Sequence, residues 1–400
     1  REMIRNVYKE CKGVPKSNCL TKEQRLSLQM DEFMNRRYEF RYNTQIGEVE
    51  YRERFSFQFY FHPIDKRAQN SIMLDAQSEG IGVWDRDIDR YLHSNRVPIY
   101  NPLEEFLFHL PHWDGKDRIH ALANRVPCKN PHWELLFHRW FLNMVSHWRG
   151  VDKMHANNTS PILVGRQGTH KSTFCREMIP PALRAYYTDS IDFSHKRDAE
   201  LYLNRFALIN IDEFDQITLP QQGFLKHILQ KPVVNLRKPH GRSVLELQRY
   251  ASFIGTSNQK DLLTDPSGSR RFICIEVTGN IDTTQPIDYE QLYAQAMHEI
   301  HHGERYWFDS EDEQIMTENN REFEQTPAML QLFYQYFKTA QTKEEGEFLT
   351  PVEILNYLKK KSGMSLSDNK VYHFGRLLQK CGIPSKHTYK GTVYQVIKLS

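Results

Sequence analysis

The sequence predicts an α/β protein with a mainly parallel sheet flanked by helices. Three short apolar runs support this prediction: residues 161–164, 206–211 and 251–255. Residues 156–303 alternate such runs with stretches that suit helices. Strands that alternate with helices form parallel sheets, and ligands of such sheets bind at the carboxyl ends of the strands. We therefore expect a functional site in the residues that follow these runs.

The first run leads into a glycine-containing loop that is typical of a nucleotide phosphate site. Residues 165–173 read GRQGTHKST, and a helix-compatible run follows. Backbone N–H groups of such a loop point at phosphate oxygens. Lys171 would reach the β- and γ-phosphates, and Ser172 would ligate Mg²⁺. The predicted cofactors are ATP and Mg²⁺, and the predicted nucleotide-binding residues are Gly165, Gly168, Thr169, His170, Lys171, Ser172 and Thr173.

The loop departs from the usual pattern G-x-x-x-x-G-K-[ST] at one position. His170 stands where the second glycine belongs, and that glycine normally lets the backbone turn tightly against the phosphates. Histidine tolerates a positive φ better than branched residues do, and Gly168 supplies some of the missing freedom. Taken alone, the segment also fits a strand, a turn and a helix with a chance Lys-Ser pair.

The second run ends in two adjacent carboxylates, Asp212 and Glu213. Their place after the loop suits the acidic partner motif of a phosphate loop. Asp212 would hold Mg²⁺ through water, and Glu213 would polarise the attacking water. A strand followed by an acidic turn is the plainer alternative. The predicted metal-binding residues are Ser172 and Asp212.

Two further motifs complete the predicted catalytic set. The third run continues as Thr256, Ser257 and Asn258, and Asn258 would orient water beside the γ-phosphate. Arg270 and Arg271 precede another apolar run, and a guanidinium there can stabilise the transferring phosphoryl group, often from a neighbouring subunit. Solvated surface charges are the alternative for these arginines. The predicted catalytic residues are Lys171, Asp212, Glu213, Asn258, Arg270 and Arg271.

As an ordered set, these motifs resemble the virulence-associated protein E family. The segments that carry the resemblance are GRQGTHKST, LINIDEFDQ, YASFIGTSN and DPSGSRRF, and the run from Tyr100 to Lys116 resembles the segment that precedes this core. The ATPase core of the family is similar to superfamily 3 helicases of phages and small DNA viruses. The resemblance implies an AAA+-like P-loop fold and a hexamer that grips one DNA strand in a central pore.

The resemblance also implies a hairpin between the acidic motif and the Asn258 strand, with a basic tip that enters the pore. From Lys226 to Tyr250 the chain has six Lys or Arg and one acid, and the flanks alternate apolar and polar residues. Charge at a tip suits phosphate contact, and the plainer alternative is an exposed basic hairpin without a ligand. The predicted DNA-binding residues are Arg237, Lys238, His240 and Arg242.

The bulk composition bounds the class of protein. The chain has 400 residues and a mean hydropathy of −0.67. No apolar run approaches the ~18–20 residues needed to span a bilayer, so we expect no membrane contact. Six cysteines without C-x-x-C spacing indicate reduced thiols and a cytoplasmic protein. The chain begins at Arg1, which predicts a fragment of a longer protein.

Charge and pattern predict five segments along the chain. Residues 304–347 have four Lys or Arg and eleven acids, whereas residues 350–400 have nine Lys or Arg and two acids. The predicted segments are an α+β segment (1–97), a helical, Trp-rich, collar-like segment (98–155), the P-loop ATPase core (156–303), an acidic helical connector (304–344) and a winged-helix-like domain (345–400).

The two terminal segments have patterns of their own. Residues 38–43 and 55–61 alternate as strands, with aromatic side chains interleaved with arginines. They form the packed face of a small sheet or a stacking platform for single-stranded nucleic acid. In the last segment, one helix begins at a capping box at Thr350, a second begins at Asp368, and a hairpin covers 386–397. This domain would bind DNA or protein.

Together these patterns predict an ATP-driven, ring-forming DNA translocase or helicase of phage or mobile-element replication. Its partners would be single-stranded or forked DNA and further copies of itself, with a possible primase domain or partner. Hydrolysis would occur between subunits, with Arg270 or Arg271 donated by the neighbour. The alternative is a non-translocating scaffold that binds DNA and is switched by the nucleotide.

Overall fold

The computed structural model describes nine ranges of the chain: residues 20–57, 59–150, 154–236, 245–263, 266–324, 328–339, 346–363, 371–389 and 391–399. The chain divides into two compact units. The larger comprises 1–258 and 270–319, and the smaller comprises 259–269 and 320–400. Within the described ranges, every helix is too short or too polar to cross a bilayer. The predicted division into five segments stays a prediction.

Residues 20–100 form a four-stranded sheet and three helices that share one core. The first helix begins in a capping box. Thr21 Oγ1 accepts a hydrogen bond from Gln24 N at 3.2 Å, and Gln24 Oε1 accepts from Thr21 N at 2.8 Å. The elements are α1 (Lys22–Arg37), β1 (Tyr38–Asn43), β2 (Glu48–Glu53), β3 (His62–Pro63), α2 (Lys66–Ser78), α3 (Asp85–Leu92) and β4 (Ile99–Tyr100), with strand order β3-β2-β1-β4.

The prediction of a strand over residues 55–61 is wrong. In the described residues of this segment the backbone forms turns and bends. Phe55 and Phe57 are 87% and 96% exposed, so they do not belong to the packed face of a sheet. The reason is the lack of a partner. β2 pairs with β1 only as far as Glu53, which lies opposite Tyr38, and β1 begins there because α1 occupies the preceding residues.

The next segment is helical, as its pattern predicts. It contains α4 (Pro102–Phe108), α5 (Arg118–Ala123) and α6 (Trp133–Trp148). Trp133, Trp140 and Trp148 are fully buried. Trp148 Nε1 donates to Ala207 O at 3.3 Å, near the start of the second predicted apolar run. These tryptophans therefore belong to the core on which the central sheet rests.

The central sheet has five strands in the order β11-β5-β10-β7-β6, and all its pairs are parallel. This confirms the predicted α/β class with a parallel sheet flanked by helices. The elements are β5 (Ser160–Val164), α7 (Lys171–Glu177), β6 (Tyr187–Thr188), α8 (Lys196–Arg205), β7 (Leu208–Ile211), α9 (Leu219–Leu229), β8 (Val233–Leu236), β9 (Leu245–Gln248), β10 (Ser252–Ser257), β11 (Phe272–Glu276), α10 (Tyr289–His301) and α11 (Ser310–Asn320).

Strands β5, β10 and β7 are neighbours, and all of their residues are buried. Their pairing register sets Ile211 opposite Gly255 and Val164 opposite Ser257. The residues that follow these strands therefore meet at one edge of the sheet.

The predicted hairpin between the acidic motif and β10 is present in its described part. β8 and β9 are antiparallel, with Val233 opposite Gln248 and Leu236 opposite Leu245. The residues that connect them, 237–244, lie outside the described ranges. The predicted DNA contacts Arg237, Lys238, His240 and Arg242 belong to this connection.

In the part of the smaller unit that the structure describes, there are three α-helices and an antiparallel sheet. The capping box predicted at Thr350 is present: Thr350 Oγ1 accepts from Glu353 N at 3.2 Å, and Glu353 Oε2 accepts from Thr350 N at 2.7 Å. The predicted start of the next helix at Asp368 lies outside the described ranges. The elements are α12 (Ala328–Tyr336), β12 (Phe337–Thr339), β13 (Glu347–Leu349), α13 (Pro351–Ser362), α14 (Val371–Lys380), β14 (Ser385–Thr388) and β15 (Gly391–Lys398).

Candidate active site

The loop between β5 and α7 has two residues in the left-handed backbone region. Gly168 has a φ of +83°, and His170 has a φ of 64° and a ψ of 23°. Histidine tolerates this region better than branched residues do. His170 therefore makes the turn for which the usual pattern has a glycine. Thr169 braces the loop, because its hydroxyl donates to Arg166 O at 2.9 Å.

Packing at the start of the loop requires Gly165. A Cβ at this position would lie 3.0 Å from Val277 O and 3.2 Å from Val277 Cβ. Its N–H donates to Ser257 O at 3.0 Å, which extends the pairing of β5 with β10 beyond Val164. The loop therefore leaves the sheet from a fixed point at the carboxyl edge.

Lys171 points its ammonium back into this loop. The residue is only 6% exposed, and its Nζ donates to Gly165 O and Arg166 O, both at 2.8 Å. It also donates to Asn258 Oδ1 at 3.3 Å, at the end of β10. Burial lowers the pKa of Lys171, and the charge of Asp212 offsets part of this effect. Lys171 thus connects the loop to Asn258, which follows the third apolar run.

Ser172 and Asp212 are in direct contact. Ser172 Oγ donates to Asp212 Oδ1 at 2.9 Å. The hydroxyl of Thr256, a buried residue of β10, donates to the same carboxylate oxygen. A hydroxyl and a carboxylate side by side are hard oxygen donors, which is the ligand chemistry of Mg²⁺.

Two more carboxylates, Glu213 and Asp215, follow Asp212 in the turn after β7. Glu213 is exposed, with a left-handed backbone at φ 53° and ψ 52°. Asp215 lies in the 3₁₀ turn Phe214–Gln216, and its Oδ1 accepts from Ser257 Oγ at 2.8 Å and from Asn258 N at 3.3 Å. The turn and the end of β10 are therefore bonded to each other.

The two predicted arginines end the 3₁₀ turn Pro266–Arg271 and lead into β11. Arg270 Nη1 donates to Glu313 Oε2 at 3.0 Å, and its side chain is 48% exposed. Arg271 is partly buried. The structure therefore gives Arg270 a partner on α11 of its own chain.

A family model for the virulence-associated protein E-like domain matches residues 107–325, which is more than half of the chain. The chain belongs to this family. The resemblance inferred from the four motifs is thereby confirmed. A second family model, a domain of unknown function described from a B. Theta gene (DUF3874), matches residues 326–396.

Among solved structures, the apo C-terminal region of NrS-1 aligns with 93% of this chain and 98% of its own length, at 11% identity and a TM-score of 0.45. A structure of the A form of that region aligns with 93% of this chain and 99% of its own length, at 11% identity and a TM-score of 0.43. No curated protein matched the chain.

Within this virulence-associated protein E-like domain, the structure brings together the loop and the ends of three strands. The polar contacts join Lys171 to Asn258 and Ser172 to Asp212. Thr173 is exposed in the first turn of α7.

Sequence reasoning missed three residues of the site: Asp215, Thr256 and Ser257. Their signal was present, because each is a polar residue within or directly beside a motif at the end of a buried strand. What the sequence could not give was the register between β7 and β10, which decides which of these polar side chains meet.

Sequence reasoning also missed Arg249, which ties the base of the β8–β9 hairpin to the domain. Its guanidinium is fully buried, and burial lowers its pKa to about 9. It donates to backbone carbonyls of three separate segments: Leu229 at the end of α9 (2.7 Å), Ala251 before β10 (2.9 Å) and Asn157 before β5 (2.9 Å). The hairpin therefore leaves the domain from a rigid base.

Proposed function

We propose that this chain is an ATP-hydrolysing, ring-forming DNA translocase or helicase that acts in the replication of a phage or mobile element. One observation carries the proposal. Lys171 with Asn258, and Ser172 with Asp212, form polar contacts at the carboxyl ends of three adjacent parallel strands. Membership in the virulence-associated protein E-like family supports a role in replication.

The surroundings of Lys171 favour an anionic ligand. Among the described residues this buried ammonium forms no ion pair and donates only to neutral oxygens. A buried charge is costly when no anion contacts it, and the charge of Asp212 offsets only part of this cost, so a phosphate oxygen in contact would stabilise the ammonium. In the proposed site Lys171 exchanges the loop carbonyls for phosphate oxygens, while the N–H groups of the loop donate to the same phosphates.

The oxygen pair of Ser172 and Asp212 fits Mg²⁺. Ser172 Oγ lies 2.9 Å from Asp212 Oδ1, so Ser172 would ligate the metal ion and Asp212 would hold it through water. Thr256 keeps the Asp212 carboxylate oriented from the side of β10. Bound Mg²⁺ would supply positive charge next to the phosphates.

Glu213 and Asn258 are the proposed water-handling residues. Glu213 adjoins Asp212 and is exposed, so its carboxylate is free to accept a proton from an attacking water. Asn258 already touches the Lys171 ammonium, which places its amide next to the proposed phosphate position. We propose that this amide orients the water.

Arg270 or Arg271 would complete the site of a neighbouring subunit in the ring. The pair between Arg270 and Glu313 does not oppose this role. Both side chains are partly exposed, and an exposed ion pair contributes only about 0–1 kcal/mol. Arg270 can therefore exchange Glu313 for a phosphate at small cost. We propose a hexamer on the ground of the family resemblance.

The β8–β9 hairpin is the proposed DNA contact. Its connection holds Arg237, Lys238, His240 and Arg242, and Arg249 fixes its base to the strands next to the nucleotide site. A rigid base is what a hairpin needs to move a DNA strand as the site changes state. The order of α12, β13, α13, α14 and the β14–β15 hairpin also suits a winged helix in the smaller unit, with DNA or a protein as its partner.

Steady-state ATPase assays with and without single-stranded DNA test this proposal. We expect Mg²⁺-dependent turnover that DNA raises several-fold. Lys171→Ala should abolish turnover, whereas Lys196→Ala, which removes an exposed lysine at the start of α8, should not. Turnover that DNA leaves unchanged would favour the nucleotide-switched scaffold. Absence of turnover in the wild-type chain, with nucleotide present, would contradict the ATPase proposal itself.

A further inference from the structure

The turn after β7 holds Glu213 in a backbone conformation that costs free energy. Among the described residues, only Glu213 and His170 combine a side chain with a positive φ. Such a conformation persists where surrounding contacts determine it. The contacts on either side of Glu213 therefore decide where its carboxylate points.

On the carboxyl side of Glu213, the contacts converge on Asp215. One oxygen, Oδ1, accepts from Ser257 Oγ at 2.8 Å and from Asn258 N at 3.3 Å. The other, Oδ2, accepts from Gln216 Nε2 at 3.1 Å. The first two donors belong to the end of β10, so Asp215 bonds the turn across to the neighbouring strand.

On the amino side of Glu213, the same strand end holds Asp212, because Thr256 donates to its carboxylate. Two carboxylates that flank Glu213 are thus bonded to consecutive residues of one strand end. We call the contacts of Asp212 and Asp215 with residues 256–258 the β10 clasp. It fixes the turn at both ends and leaves Glu213 exposed between them.

Hydrogen bonds also link Asp215 to the proposed phosphate position through Asn258. The Asn258 backbone N–H donates to Asp215, and the Asn258 side chain accepts from Lys171 Nζ at 3.3 Å. In the described structure Asp215 forms no hydrogen bond with Lys171 or Ser172, although burial lowers the pKa of Lys171 and the charges of Asp212 and Asp215 oppose this. The hydrogen bonds of Asp215 can therefore act on the reaction through the placement of Asn258 and Glu213.

We propose that Asp215 is a positioning residue that holds Glu213 and Asn258 for water activation. The proposal rests on the proposed ATPase function. It assigns to Asp215 no contact with nucleotide or metal. Loss of Asp215 should therefore slow the chemical step and leave nucleotide binding intact, because the loop and the Ser172–Asp212 pair remain.

The test compares Asp215→Ala, which removes the acceptor, with Asp215→Asn, which keeps an oxygen in the same place. Asp192→Ala is the matched control, since Asp192 also accepts from a serine hydroxyl and a backbone N–H, those of Ser194, in an exposed loop. For each variant we would measure kcat and KM for ATP, the affinity for a fluorescent non-hydrolysable ATP analogue, and the melting temperature.

We expect Asp215→Ala to lower kcat about tenfold or more with unchanged analogue affinity, and Asp215→Asn to recover most of the loss. Asp192→Ala should match the wild type. Wild-type kcat in Asp215→Ala would overturn the inference. So would a parallel fall in kcat, analogue affinity and melting temperature that Asp215→Asn does not repair, since that is a purely structural role.

Failure of the ATPase proposal and failure of the Asp215 inference give different results. If the wild-type chain does not hydrolyse ATP, the proposed function fails before Asp215 is tested. If Asp215→Ala does not fold, Ser257→Ala takes its place, because it removes one of the two β10 donors and leaves the carboxylate. A partial fall in kcat with unchanged affinity supports the inference, and an unchanged kcat overturns it.

Discussion

Strand β10 and the aromatic run at 55–61 carry similar signals in the sequence, yet they fold differently. Both are rich in apolar residues and both predict strands. β10 has a parallel partner on each side, and every residue in it is buried. In its described residues the aromatic run pairs with no strand, and Phe57 is 96% exposed. The comparison teaches that a stretch rich in apolar residues becomes a strand where a neighbouring strand is available to pair with it.

The candidate site shows the same limit: residues can be predicted from their order along the chain, but contacts that depend on strand pairing cannot. The loop, the acidic pair and Asn258 were found because each follows a buried strand in an order typical of nucleotide sites. The contacts of Asp215 and Thr256 were not, because they depend on the register of β7 against β10. Arg249 was missed because its acceptors are backbone carbonyls. Every residue has such a carbonyl, so the sequence does not show which ones lie near the guanidinium.

Replacing one phenylalanine in each region gives the largest expected difference. Phe253→Ala in β10 removes a fully buried ring and should lower the free energy of unfolding by about 3–5 kcal/mol. Phe57→Ala removes an exposed ring and should change it by less than about 0.5 kcal/mol. Chemical denaturation of both variants measures this. Equal losses would mean that the aromatic run is packed after all.

A pair of glycines sharpens the account of β10. A Cβ at Gly255 would lie 2.8 Å from Ile162 Cδ1 and 3.2 Å from Ile211 O, so Gly255→Ala should destabilise the chain by about 1–3 kcal/mol. Gly223 lies within α9 with open space around it, and Gly223→Ala should stabilise the chain by about 0.5–1 kcal/mol. Melting temperatures that shift in the same direction for both variants would contradict the close packing inferred around Gly255.

Thr256 tests whether the end of β10 serves the reaction as well as the fold. Thr256→Val keeps the shape but removes the donor to Asp212, so kcat for ATP should fall about tenfold. Thr317→Val is a matched control, because that hydroxyl donates to Glu313 O at 2.7 Å within α11. An unchanged kcat in Thr256→Val would restrict this part of β10 to a structural role.

The smallest expected effect concerns His170. A glycine at this position would adopt the left-handed backbone without steric cost, although it would also enlarge the entropy of the unfolded chain. His170→Gly should therefore raise the free energy of unfolding by about 0.5 kcal/mol and leave ATP affinity intact. A loss of affinity would show that the imidazole itself contacts the ligand.

Isothermal titration calorimetry with Mg²⁺ and a non-hydrolysable ATP analogue tests the central claim most directly. The account predicts that the wild-type chain and Lys196→Ala bind the analogue with the same affinity, and that Lys171→Ala and Asp212→Ala bind it at least about tenfold more weakly. Equal binding by all four proteins, or none by the wild type, would contradict a nucleotide site at the ends of β5, β7 and β10.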